Sequence, residues 1–106
     1  MNYLKIDEST KKEFKPGVKV HFVHTDNMTF AYWSIEPGAE IPEHAHSHEQ
    51  VVNVLSGECD LVVDNETKRL GPGDVVIIPP NSVHAARSVT DCQIIDVFYP
   101  VREDYR

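Results

Sequence analysis

From residue 18 onward the chain is a succession of short apolar runs, each halted by glycine, proline, asparagine or aspartate. Val18, Val20 and Phe22 alternate with Lys19, His21 and Val23, the period of a strand with two unlike faces. Further runs follow at 29–35, 51–55, 59–63, 68–70, 75–78, 84–88 and 93–99. Pro37-Gly38, Ser56-Gly57, Asp64-Asn65-Glu66, Gly71-Pro72-Gly73 and Pro79-Pro80-Asn81 separate them. No apolar stripe at helical spacing persists over several turns. Breakers this frequent, between runs this short, specify an all-β antiparallel sandwich or barrel.

A chain of 106 residues supports one domain. Residues 1–16 are mixed and charged and end at Pro16-Gly17, so they read as an N-terminal arm or edge segment, with the folded domain at 17–106. Nothing approaches the ~20 apolar residues of a membrane helix. Met1-Asn2-Tyr3-Leu4-Lys5 lacks the apolar core of a signal peptide, and a cytoplasmic location is expected. The net charge of -7 argues against a nucleic-acid partner, which calls for a basic face. It does not argue against a small anionic substrate, because one pocket arginine can override the global field locally. Cys59 and Cys92 have no CxxC spacing and read as small buried hydrophobes.

Chemistry concentrates in two places. Gly38, His44-Ala45-His46, Gln50 and Gly57 form one group, and Gly73, Pro79 and His84 follow later. His44 and His46 lie two apart, so on a strand both rings project to one side. Gln50 and His84 can complete a set of three imidazoles and an amide oxygen, a donor set for one divalent metal ion. Gln50 is preferred to Glu49 because a one-residue step on a strand reverses the face. The second place is Asp96-Val97-Phe98-Tyr99-Pro100-Val101-Arg102. Ile94, Asp96 and Phe98 share one strand face, which sets a carboxylate among apolar neighbours. Such a carboxylate is either paired, here with Arg87 or Arg102, or functional.

The glycine, histidine and proline spacing resembles the two motifs of the cupin family. Gln50 stands where that family usually has glutamate, Asn81 where it has glycine, and Ser88 where it has asparagine. The resemblance covers roughly residues 20–100 and implies a jelly-roll β-barrel with the metal inside. Within the cupins, the order of Pro42, His44, His46, Gln50, Gly57-Glu58, His84 and Asp96-x-Phe98-x-Pro100-x-Arg102 is similar to the pectin-degradation family KdgF. That family linearises 4,5-unsaturated uronates released by pectin and alginate lyases. The resemblance implies His44, His46, Gln50 and His84 as metal ligands. It implies Asp96 as general acid/base, Phe98 as a pocket wall and Arg102 as a bidentate holder of the substrate carboxylate.

An amide in place of a carboxylate leaves the metal with one more unit of positive charge, which favours Lewis-acid chemistry on a small anionic sugar acid. It suits Zn, Ni, Co or Mn better than redox Fe, without choosing among them. The alternatives are another metal-dependent cupin enzyme, a dioxygenase or sugar isomerase, or a non-catalytic ligand-binding cupin. Exposed strand edges suggest a homodimer. His21, His24 and His48 read as structural or surface residues, Arg87 as a substrate binder or a surface ion-pair partner, and Phe30, Tyr32 and Trp33 as core or pocket-lining aromatics.

Overall fold

The computed structural model describes residues 1–106. Ten strands follow in order: β1 (Lys12–Lys15), β2 (Val18–His24), β3 (Thr29–Ile35), β4 (Glu40–His44), β5 (Glu49–Ser56), β6 (Cys59–Val63), β7 (Glu66–Leu70), β8 (Val75–Ile78), β9 (His84–Ser88) and β10 (Cys92–Tyr99). Single 3-10 turns, Glu8–Thr10 and Glu103–Tyr105, stand near the two ends. A six-stranded sheet in the order β1-β2-β3-β10-β5-β8 packs on a four-stranded sheet in the order β4-β9-β6-β7. Every pairing is antiparallel. This is the all-β jelly roll expected, built as two sheets that do not join by hydrogen bonds into a closed barrel. No helix is long and apolar enough to cross a membrane.

The alternation read from the sequence places the core. On β3 Thr29, Ala31, Trp33 and Ile35 are buried while Phe30, Tyr32 and Ser34 are not. Val52, Val54, Ile94 and Phe98 from the large sheet meet Cys59, Leu61 and Leu70 from the small one. Both cysteines are free thiols and buried, and burial pushes the Cys59 thiol up to about 12.

The turns obey backbone sterics. Asp64 (φ 48°) and Asn65 (φ 68°) join β6 to β7 as a two-residue hairpin, the left-handed pair that matches strand twist. Asn81 has φ 68°. Asparagine tolerates that region far better than most residues, which explains its place where related motifs have glycine. Gly57 (φ 83°) is tighter still, because a Cβ there would stand 1.9 Å from the Asp91 carbonyl oxygen. Gly57→Ala is expected to destabilise the fold by about 2–4 kcal/mol, read as a lower urea midpoint at unchanged slope.

Residues 8–15 pack against the rest of the chain. β1 extends the large sheet beyond β2. Lys11 Nζ donates to Ser34 Oγ at 2.8 Å and to Gln93 Oε1 at 2.7 Å. Phe14, about half exposed, meets the Trp33 ring edge-on at 5.2 Å.

Candidate metal centre

One end of the sandwich gathers the chemistry. In the small sheet His44 on β4 faces His84 on β9, ring centroids 4.2 Å apart. A bulge makes this pairing possible. Ile41 pairs with Ala86 and the next aligned pair is His44 with His84, so two β4 residues oppose one on β9. Strict alternation would turn Glu43 inward with Ile41; the bulge turns His44 in and leaves Glu43 exposed. His46 is not on the same strand as His44, contrary to expectation. β4 ends at His44, and His46 stands in the loop before β5. Its carbonyl accepts from Asn81 N–H at 2.8 Å, which ties that loop to the turn leading to His84.

In the large sheet Ile78, Gln50, Phe98 and Thr29 lie in one cross-strand row, all buried. Gln50 is therefore inward and Glu49 exposed, as alternation required. Phe98 meets the His46 ring edge-on at 5.6 Å.

The ring orientations fit a metal ion. His44 Nδ1 lies 2.8 Å from Pro42 O, His84 Nδ1 2.8 Å from Ser82 O, and His46 Nδ1 3.0 Å from His48 O. A carbonyl only accepts, so each Nδ1 carries the proton and each Nε2 is left with a lone pair. The ligand atoms of the three histidines lie within 4.8 Å of one another. His84 Nε2 is buried with no partner, and burial lowers the basicity of His46 and His84. His46 Nε2 stands 3.0 Å from Gln50 Oε1. With its proton already committed to His48 O, a neutral His46 presents a lone pair to that oxygen, an arrangement that a shared cation relieves.

Asp96 occupies the next inward position on β10 and lines the same cavity as His44, Gln50 and His84. Its Oδ2 accepts from Trp33 Nε1–H at 3.0 Å, and its Oδ1 is buried without a partner. Burial pushes the carboxyl up to about 7, against the opposing pull of Gln50, Trp33 and the Arg102 charge. The ion pair weighed for Asp96 does not form. Arg87 stands at the surface 3.7 Å from Glu40, and Arg102 bonds Asp104.

Arg102 is buried, but it is not on the cavity wall. Its guanidinium lies 4.8 Å from the Phe98 ring centroid and 4.0 Å from that of Tyr105. The side-on fork expected to hold a substrate carboxylate is already taken by Asp104, at 2.9 Å from Nε and 2.7 Å from Nη2.

Of the three aromatics that could be core or pocket lining, Trp33 lines the cavity, its inward register opposite Ile94 setting it two residues from Asp96. Two contributors have no signal in the sequence. Phe14 and Tyr105, both on the cavity wall, lie outside the periodic runs and gave none. His48 stands beside His46, ring centroids 5.5 Å apart, but outside the three-histidine group. His21 and His24 bond Thr10 O and Thr29 Oγ1, away from the site.

A two-sheet jelly roll with three convergent imidazoles at one end is the cupin arrangement, and the cupin domain model matches residues 31–98. The chain belongs to the cupin family. Along nearly its whole length it is similar to the pectin degradation protein KdgF of Dickeya dadantii (strain 3937), 28% identical over 102 residues that cover 93% of each chain. The solved structure of KdgF from Halomonas sp. superimposes with a TM-score of 0.92 at 26% identity, both chains covered in full. An RmlC-like cupin from Shewanella frigidimarina NCIMB 400 gives 0.91 at 31% identity, covering 100% of this chain and 97% of its own.

Proposed function

We propose that this cupin converts cyclic 4,5-unsaturated uronates, the products of pectin or alginate lyases, to their linear ketonised form. The observation that carries the reading is the buried Asp96 carboxylate, with one oxygen unpartnered, opening on the same cavity as His44, Gln50 and His84. The likeness to two KdgF proteins supports the substrate class.

The substrate is a hemiacetal at C1 whose ring oxygen is attached to an enolic C5. Removal of the C1 hydroxyl proton breaks the bond from C1 to the ring oxygen and leaves an aldehyde and an enolate. Protonation at C4 then gives the C5 ketone. Asp96 takes the first proton and delivers one to C4, held in register by the Trp33 N–H. His44, His46, Gln50 and His84 would hold one divalent ion, which would supply Lewis acidity toward substrate oxygens where negative charge develops. Gln50, being neutral, leaves more of the ion's charge for that purpose. Phe98 walls the sugar ring, and the Arg102 guanidinium, 4.8 Å from the Phe98 ring centroid, contributes positive charge behind that wall rather than a direct contact to the carboxylate.

Incubation of the metal-loaded protein with freshly generated lyase product tests this. Loss of the unsaturated chromophore faster than its spontaneous decay is expected; decay at the spontaneous rate removes the uronate assignment.

We also infer that two copies pair through the outer face of the large sheet. Ile77, Val51, Val97, Phe30 and Val23 form one cross-strand row there. On β8 Ile77 and Val75 are exposed. An apolar face this broad on a small domain marks an interaction surface. Ile77→Lys is expected to halve the mass measured by light scattering; an unchanged mass removes this interface.

A further inference from the structure

β1 carries one residue more than its partner strand can match. Lys12 pairs with Val20 and Glu13 with Lys19, but the next aligned pair is Lys15 with Val18. Phe14 is the residue left over, a bulge on the edge strand of the large sheet. Bulges re-aim side chains and collect at sheet edges and beside active sites. Here the ring joins the wall of the cavity that also holds His44, Gln50, His84 and Asp96. It meets Trp33 edge-on at 5.2 Å and stands 6.2 Å from the Tyr105 ring. Trp33 in turn donates to Asp96 Oδ2 at 3.0 Å.

Phe14 is 46% exposed, and every other residue of that wall is more deeply buried. It stands at the rim, part of the ring packed on Trp33 and the rest open to solvent. Fastening β1 is a poor account of it. The strand is held by its pairing with β2, and its N-terminal end by the bonds of Lys11 to Ser34 and Gln93. A half-uncovered ring at the rim of a polar site has apolar surface still to bury, and a ligand with an apolar face covers it. A pyranose has such a face, made of its ring C–H groups, while its hydroxyls and carboxylate project from the edge. We propose that Phe14 is a specificity-determining residue, the platform on which a uronate ring lies by its C–H face while its oxygens meet the metal centre and Asp96. This deepens the uronate reading and rests on it. A platform holds the sugar and leaves proton transfer at Asp96 alone, so its loss raises KM and spares kcat.

The test uses metal-loaded protein with Phe14→Ala, Phe14→Leu and Phe14→Tyr. The readouts are KM and kcat with an unsaturated monouronate, binding of saturated galacturonate, which has no enol ether to open, and melting temperature. Trp33 is the chain's single tryptophan, so its emission follows galacturonate binding at the Phe14 contact, with calorimetry as the second measure. Phe14→Ala is expected to raise KM and weaken galacturonate binding by about tenfold, the worth of the surface a half-uncovered ring has left to bury, with kcat nearly unchanged. Phe14→Leu separates a platform from a prop. It keeps apolar bulk against Trp33 and the wild-type melting temperature, but it lacks the flat ring and loses most of the same affinity. Phe14→Tyr keeps the ring and binds as wild type does. Unchanged KM and binding in Phe14→Ala overturn the proposal, as does wild-type affinity in Phe14→Leu, or a loss confined to variants whose melting temperature falls. The two failures are separable. A wild-type protein that binds galacturonate with the predicted Phe14 dependence but shows no turnover sinks the linearisation reading and keeps the platform. Turnover of the monouronate with no Phe14 dependence keeps the linearisation reading and sinks the platform. Absence of galacturonate binding by wild type overturns the platform as well.

Discussion

Asp96→Asn lowers kcat by about 100- to 10,000-fold, the contribution general acid–base catalysis makes, while the protein still binds one metal ion and stays folded. The substitution is nearly isosteric, and the amide oxygen can keep the 3.0 Å bond from Trp33 Nε1–H. What it removes is the ability to accept and return a proton at the oxygen that faces the cavity without a partner. Initial rates of chromophore loss, together with metal content by elemental analysis, check both halves. An Asp96→Asn variant as active as wild type means that the proton passes through another group.

His84→Ala has the second large effect and fails in the opposite order: the metal goes first and activity with it. His84 is the most deeply buried of the three histidines. Its ring is aimed by the carbonyl of Ser82, and its Nε2 has no protein partner. Losing that donor lowers metal affinity by more than about 100-fold, beyond what removal of an outer hydrogen-bonding partner costs. Competition with a coloured chelator measures it. His48→Ala is the control. It removes a neighbouring ring but keeps the backbone carbonyl that orients His46, and metal stoichiometry is expected to stay at wild type.

The elements of the fold were legible because the chain signals them twice, by alternation along the runs and by turn chemistry between them. Thr29, Ala31, Trp33 and Ile35 point inward because the strand period demands it, and Asp64-Asn65 turns because those two residues accept a left-handed backbone. The three histidines were legible from spacing alone, and the structure gathers them at one end. The route by which they arrive was not. Strand alternation placed His44 and His46 side by side on one strand, whereas a bulge at Pro42-Glu43 turns His44 inward and a loop carries His46. Bulges depend on the register of the partner strand, which a single run of sequence does not contain. The same limit applies to Arg102. Its residue type and position suggested a free bidentate fork, but Asp104, two residues on in a 3-10 turn, takes that fork. Turn geometry after the last strand carries no periodic signal. Phe14 and Tyr105 reach the cavity from the two ends of the chain, which come together only when β1 docks beside β2 and the last turn packs on Phe22.

Titration of metal-stripped protein with a divalent ion, following turnover of a freshly generated unsaturated monouronate at each addition, tests the central claim most directly. The account predicts no acceleration without metal, a linear rise with each increment, and a break at one ion per chain. Turnover that is already complete in the stripped protein, or a rate that never departs from spontaneous decay at full loading, contradicts it.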